Sequence, residues 1–292
     1  TKYTIKQFRH TNPDMPIYFL CNYRFCEPFR RKVRSVPDLT ILPLEIYSEN
    51  PTLQEFKRVS WFKSWGKPDT VYPSPDNFVQ GTSERLFVLN AFIKHNKFNN
   101  VWHFENDNLV YTDLNFMGLP DDKVTICHMG PVYVVLNAVF IPKHELFDDA
   151  VNWYSYQLSK GDAALKAEFP NIEMVQEMTV MRLYDKFNFF SSIPGEMPYY
   201  HHNGNDYFMD PASYGQFIAG TNGGHPPGFL DNAHHDIAKA YGNRWKGMSH
   251  TRQTGPEILG SDDKKYKLIN LHMHNKTRIG EFVTYARTNA DI

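Results

Sequence analysis

Residues Ser83–Tyr111 read SERLFVLNAFIKHNKFNNVWHFENDNLVY, and the change of period inside this stretch decides the fold class. Leu86, Leu89 and Ile93 recur at i, i+3 and i+7, one face of a helix. Ser83 is placed to cap that helix, which should run to about Asn96. Val101–Phe104 (VWHF) is too short and too rich in rings and branches for a helix and reads as a strand. It runs straight into Glu105-Asn106-Asp107-Asn108, and apolar sequence resumes at Leu109-Val110-Tyr111. Helix and strand joined by short connections point to an α/β sheet with parallel strands.

Working outward, Ile17–Cys21 (IYFLC) and Leu39–Tyr47 (LTILPLEIY) read as strands separated by the basic stretch RFCEPFRRKVRS. Residues 60–80, with three prolines, read as an irregular loop. Pro131–Ile141 (PVYVVLNAVFI) is the most apolar stretch and reads as a buried strand. Pro142–Lys160 is expected to be a helix, with Phe147, Ala150, Val151, Tyr154 and Leu158 on one face and Gly161 as its stop. A second helix is expected over Val175–Asp185. From Ser191 to Gly228 the chain is loop-rich, with a short helix started by Asp210-Pro211 and stopped by Gly220. No repeat and no linker divides the sequence, so one domain is expected over residues 1–292.

Composition excludes several classes. Hydrophobic residues are 41% and charged residues 22%, a globular balance. Lys plus Arg is 31 against 32 Asp plus Glu, so the net charge of −1 argues against a general nucleic-acid or anionic-membrane binder. No apolar run approaches the roughly 18 residues of a membrane-spanning helix, and the first residues lack the apolar core of a signal peptide. Cys21, Cys26 and Cys127 are odd in number and sparse, which points to reduced thiols and a cytoplasmic location. Aromatics reach 15%, enough for a ring-rich core and for platforms that stack on flat ligands.

Four segments carry candidate chemistry. Glu105 and Asp107 form an acid-x-acid pair after a short strand, where open α/β sheets bind ligands. Such a pair holds a hard divalent cation that bridges the phosphates of a nucleotide, although many such pairs are only solvated turns. In Leu268–Lys276 (LINLHMHNK) a period of two puts Ile269, Leu271 and Met273 on one face and Asn270, His272 and His274 on the other. Lys276 and Arg278 follow where a helix can start, a setting suited to a phosphate. In Phe208–Gly220, Asp210, Tyr214 and Gln216 are candidate partners for hydroxyls, and Gly215 and Gly220 permit close backbone approach. Glu177 heads the Gln176–Met178 helix start, either as a dipole partner or as a base. His225, His234 and His235, with Asp231 and Asp236, match no metal-binding spacing and read as surface.

Taken in order, IYFLCN, Ser83-Glu84-Arg85, HFENDNLVY, QEMTVM, FMDPASYGQFIAG and NLHMHNK resemble the segments of nucleotide-sugar-dependent glycosyltransferases of the GT-A fold, over Ile17 to about Phe282. The chain is similar to those of large algal viruses (chloroviruses), among them a xylosyltransferase. The resemblance implies a single Rossmann-like domain whose central sheet is mixed and mostly parallel. Residues 1–115 would bind the nucleotide sugar and 116–292 the acceptor, returning to the metal at 268–278. It implies Mn²⁺ or Mg²⁺ held by Asp107, Glu105 and His272, with His274 the second choice of histidine. It further implies Arg85 and Lys276 on the donor, with His274, Tyr214 and Gln216 also binding substrate. The implied reaction moves a sugar, xylose among the candidates, from a UDP-sugar to a hydroxyl of a glycan acceptor with inversion. Glu177 would be the base and Asp210 the alternative. Glu177 and Asp210 should then open onto one cleft, and Tyr199, Tyr200, Tyr207 and Tyr214 should stack on acceptor sugars. A viral origin would put the protein in the host cytoplasm. Two readings compete: a non-haem iron oxygenase using His272, His274 and Asp107, and a glycan-binding protein without catalysis.

Overall fold

The N-terminal region is built on a crossover. In the computed structural model, which describes residues 2–59, 78–129, 133–172, 175–190, 200–220, 227, 245–251, 255–260 and 262–285, helix α1 (Lys2–Thr11) precedes strand β1 (Ile17–Cys21). Strand β1 pairs in parallel with β2 (Leu39–Pro43), from Ile17↔Leu39 to Cys21↔Pro43. A parallel pair cannot be closed by a tight turn. The basic stretch between them forms that crossover as helix α2 (Tyr23–Lys32), which buries Cys26, and Val33 just beyond it, against Ile41.

Helix α3 (Pro51–Val59) stacks Phe56 on Phe87 of helix α4 (Phe78–Asn96) at 4.3 Å between ring centres. Helix α4 begins earlier than its capping signal suggested, and it includes residues 78–80 of the expected loop. Ser83 is therefore inside the helix and fully buried, its hydroxyl 2.8 Å from the Tyr154 hydroxyl. Leu86 to Leu89 and Ala91 to Ile93 are all buried, so this helix is covered on most sides. The expected helix at 142–160 is α5 (His144–Ser159), and its apolar face at Phe147, Ala150, Val151, Tyr154 and Leu158 joins the same core. Helix α6 (Asp162–Glu168) follows, and α7 (Glu177–Arg182) is shorter than the expected Val175–Asp185.

The acid-x-acid strand, β3 (Val101–Phe104), is the edge of a four-stranded sheet ordered β3-β6-β5-β7. Its neighbour β6 (Tyr133–Ile141) runs antiparallel to it and to β5 (Thr125–Met129), while β7 (Asn188–Phe190) runs parallel to β5. Only three residues separate β5 from β6, too few for a parallel return. The α/β class holds, but the described strands do not pair mostly in parallel. Parallel pairs are β1·β2, β5·β7 and Asn205–Phe208 with Lys265–Leu268; the other six are antiparallel.

The C-terminal part adds a five-stranded sheet ordered β10-β11-β12-β9-β8. Its strands are β8 (Tyr200–His202), β9 (Asn205–Phe208), β10 (Trp245–Thr251), β11 (Gly255–Gly260) and β12 (Lys265–Leu268). Strands β8 and β9 are joined by Asn203-Gly204, both at positive φ as a two-residue hairpin demands. Helix α8 (Ser213–Ala219) follows β9. At Ile269 the chain then leaves this sheet: β13 (Asn270–His272) pairs antiparallel with β4 (Asn108–Val110), His272 opposite Asn108. Ile269 is held at the switch by its N–H donating to the Phe208 carbonyl (2.7 Å) and its carbonyl accepting from Tyr111 N–H (2.8 Å). This change of sheet carries residues 270–276 onto the acid-x-acid turn.

Among the described residues no helix is long and apolar enough to cross a membrane. The expected loop at 60–77, residues 191–199 (with Tyr199), 221–226 and 228 of the expected loop-rich stretch, and the group of His225, His234, His235, Asp231 and Asp236 lie outside the described residues.

Candidate metal centre

The Glu105–Asn108 turn is fixed by its backbone. Glu105 N–H donates to the Asn137 carbonyl (2.9 Å), Asn108 N–H donates to the Glu105 carbonyl (3.1 Å), and the Asp107 carbonyl accepts from Met273 N–H (3.0 Å). Side chains of Asn108 and Asn270 lock the strands together, Asn270 Nδ2 donating to Asn108 Oδ1 at 2.5 Å. His272 therefore arrives opposite the turn with little freedom. Its Nε2 lies 3.2 Å from Glu105 Oε2 and 3.1 Å from Asp107 Oδ1.

Ligand atoms of Glu105, Asp107 and His272 all lie within 4.8 Å of one another, so these residues can hold a metal ion. The donor set fits: two carboxylates and an imidazole suit a hard-to-borderline divalent cation. Asp107 Oδ1 is buried and has no aligned hydrogen bond, so its approach to His272 is an ion contact that leaves a lone pair for another partner.

Charge in the cluster is balanced. Arg85 bonds Glu105, and its other terminal nitrogen lies 3.8 Å from Glu177 Oε1; Lys276 Nζ lies 3.3 Å from Asp107 Oδ2. Burial works to raise the Glu105 and Asp107 pKa values, but Arg85 and His272 hold Glu105 low, and His272 and Lys276 hold Asp107 low. Burial opposes a charge on His272, yet Asp107 and Glu105 push its pKa up to about 10. Asn137 pulls the other way. Its amide is oriented by donating to the Asp210 carbonyl (2.8 Å), which turns the same nitrogen toward His272 Nδ1 (3.2 Å). A proton on Nε2 leaves Nδ1 to accept from Asn137 and puts the ring N–H on the side of both carboxylates. Coordination through Nε2 would move that proton to Nδ1 and turn the Asn137 oxygen toward it.

Glu177 is buried at the first position of α7, behind an N-terminal box in which Gln176 and Thr179 bond reciprocally. Its Oε2 is buried with no hydrogen-bond partner among the described residues. Burial raises its pKa, against the pull of Arg85. Through Arg85 it joins the Glu105 cluster.

The other expected site residues play supporting parts. Asp210 is fully buried and its carboxylate accepts three backbone N–H groups: Tyr214 (3.0 Å), Gly215 (2.9 Å) and His272 (2.9 Å). It is a staple between α8 and β13, which argues against its use as a base. It also stands outside the first turn it caps, because Ala212 adopts a left-handed conformation (φ 88°) and α8 starts at Ser213. The Tyr214 ring is buried with Leu109, Phe208 and Leu271, a core position and not a sugar platform. Gln216 is buried and its Nε2 lies 2.9 Å from His274 Nδ1. His274 is outside the ligand group, its ring centre 5.0 Å from that of His272. Of the other expected tyrosines, Tyr200 and Tyr207 pack against Phe116, and Tyr200 against the His202 ring. Ile269 does not share a face with Leu271 and Met273: it packs with Val110 and Met209, because of the bend.

Sequence reasoning missed Asn137, which fixes the turn, the Asp210 carbonyl and the His272 ring together. The signal was present as the single amide inside YVVLNAVFI, a fully buried polar residue in the most apolar strand.

With this geometry in hand, no known family model matches the chain, and no curated protein is significantly similar to it.

Proposed function

We propose that this protein is a metal-dependent glycosyltransferase that moves a sugar from a UDP-sugar to a hydroxyl of a glycan. The observation that carries the reading is the convergence of Glu105, Asp107 and His272, from segments 165 residues apart in sequence (107 to 272), with Lys276 beside Asp107 and Glu177 behind Arg85. In this reading Asp107, Glu105 and His272 hold Mn²⁺, the better match than Mg²⁺ to a set that includes an imidazole. The bound cation would supply charge neutralisation of the departing diphosphate. Lys276 adds a flexible positive charge for the same phosphates. Arg85 lies between Glu105 and Glu177, where its charge offsets theirs beside the donor site.

Glu177 is the base in this scheme. Its unpartnered Oε2 accepts the proton of the acceptor hydroxyl, and its raised pKa makes it a stronger base than a solvated glutamate. The freed oxygen bonds the anomeric carbon, the bond from that carbon to the phosphate oxygen breaks, and UDP leaves with the electron pair. The iron-oxygenase alternative needs His274 as a ligand, and His274 is turned to Gln216 instead. The test is a melting and turnover screen. Mn²⁺ with UDP should raise the melting temperature more than either alone, and one of a panel of UDP-sugars, xylose included, should be consumed. No shift with UDP, GDP or CMP in the presence of Mn²⁺ would sink the proposal.

A further inference from the structure

The chain is close to neutral as a whole, but its charge is not spread evenly. Residues 23–34 hold Arg24, Arg30, Arg31, Lys32 and Arg34 against Glu27 alone. This segment is helix α2 and the two residues after it, and only Cys26 and Val33 are buried in it, with Phe29 half-buried beside them. Every one of the five basic side chains is exposed. Arg30 and Arg31 share Glu27 at 2.7 and 3.2 Å, a pair of solvated contacts that leaves most of the charge uncompensated. Arg24, Lys32 and Arg34 have no acidic partner among the described residues.

The same surface exposes large apolar side chains. Tyr23 is 74% exposed, Phe25 50% and Ile46 56%, three of the largest exposed apolar groups among the described residues. The Leu44–Tyr47 turn lies at the start of α2: the Glu45 carboxylate accepts the Tyr23 N–H at 2.9 and 3.0 Å, which brings the turn bearing Ile46 to the end of the helix that carries Tyr23 and Phe25 on its two flanks. Arg24 lies over the Phe25 ring at 4.7 Å, its stem against the aromatic face. The helix is about 15 Å long. One end thus carries rings and an isoleucine, and the other carries Arg30, Arg31, Lys32 and Arg34.

We propose that α2 and the Leu44–Tyr47 turn dock this protein on an anionic membrane surface. Charge complementarity selects the occupant class: four cations at one end of a short convex helix match a layer of lipid phosphates and carboxylates. The exposed Tyr23, Phe25 and Ile46 select a membrane over a nucleic acid. Rings and an aliphatic side chain on a convex helix enter the boundary between headgroups and acyl chains. A polynucleotide would use the rings only as stacking surfaces in a groove and has no use for Ile46. The rest of the chain carries net negative charge and is repelled by the same surface, so contact is confined to this face and sets the orientation of the protein on it.

The test is co-sedimentation of the full chain with vesicles of phosphatidylcholine alone and with roughly one-third phosphatidylserine. Binding should depend on phosphatidylserine and fall steeply between about 0.1 and 0.5 M salt. Each cation near such a surface multiplies binding by up to roughly fivefold. The combined variant Arg30→Gln, Arg31→Gln, Lys32→Gln, Arg34→Gln should therefore lose at least tenfold. Tyr23→Ser with Phe25→Ser should lose several-fold and shift the remainder toward full salt sensitivity. All six positions are exposed, and an unchanged melting temperature confirms that each variant folds. Absence of phosphatidylserine-dependent binding, or equal binding by the charge variant, overturns the proposal. Retention of heparin or RNA without vesicle binding overturns it in favour of a polyanion site.

Discussion

Gly215→Ala is the sharpest single perturbation, because the space it needs is occupied by backbone. A Cβ at residue 215 would lie 1.8 Å from the His272 carbonyl oxygen and 2.6 Å from its carbon, where contacts under 3.0 Å are essentially never found. Relief needs a displacement of at least 1.2 Å, the difference between 3.0 and 1.8, between α8 and β13. Neither element can yield alone. The Asp210 carboxylate ties them, its Oδ2 accepting from both Gly215 N–H and His272 N–H at 2.9 Å. Breaking one of these charge-assisted bonds costs about 1.5–3 kcal/mol, and residual overpacking adds roughly 1–3 kcal/mol. A total of about 3–5 kcal/mol corresponds to a fall of roughly 5–15 °C in melting temperature for a chain of this size. His272 moves with its carbonyl, so Mn²⁺ affinity should drop by about 10–100-fold, as for loss of an outer partner of a metal ligand. Differential scanning fluorimetry and calorimetric Mn²⁺ titration read the two effects. A variant that melts within about 2 °C of wild type and binds Mn²⁺ equally would refute the close packing of α8 on β13.

Three further outcomes follow from other contacts. Asp107→Ala should abolish Mn²⁺-dependent UDP binding and turnover; activity that survives with Mn²⁺-dependent kinetics would remove Asp107 from the site. Glu177→Gln should lower turnover by roughly 10² or more while UDP affinity stays constant. Its raised pKa makes the ionised Glu177 a liability to folding above that pKa, so the same variant should melt no lower than wild type at pH 8, an advantage that shrinks as the pH falls and wild-type Glu177 takes up its proton. Asp148 on α5 joins α4 through Asn90 (2.7 Å) and Lys94 (2.9 Å); burial raises its pKa, but those partners lower it below the normal carboxylate value. Its stabilisation is therefore present above pH 3.8 and lost as the pH falls through the depressed value. Asp148→Asn should cost about 1 kcal/mol at pH 7 and close to nothing in strong acid; a penalty that persists there would point to packing instead of charge.

Much of the local structure was legible in the sequence. Ile17–Cys21, Val101–Phe104 and the helix at 144–159 lie where their apolar periods place them, because each period is set by neighbours within a few residues. Helices α1, α2 and α3 were not anticipated. Their polar sequences form helices under the constraint of a crossover or a packing partner, as with Phe56 on Phe87. The start of α4 was misplaced because Ser83 looks like a cap but is used as a buried hydroxyl for Tyr154, a partner 71 residues away.

The residue types of the candidate site were equally legible, since carboxylates, imidazoles and a lysine at those spacings are candidates for metal and phosphate chemistry without a fold. Which of them meet was a tertiary matter. His272 and His274 are indistinguishable in NLHMHNK, yet the sheet switch at Ile269 and the pairing of His272 opposite Asn108 deliver one imidazole to Glu105 and Asp107 and leave the other to Gln216. Glu177 and Asp210 are both buried acids. One ends with an unpartnered oxygen beside Arg85, the other with three backbone donors, because burial forces a carboxylate to find whatever donors the surrounding chain segments bring. Sequence determines which groups are available and the period on which they are presented. Pairing between distant segments, which no local pattern encodes, decides which of those groups share a few ångströms of low-dielectric space.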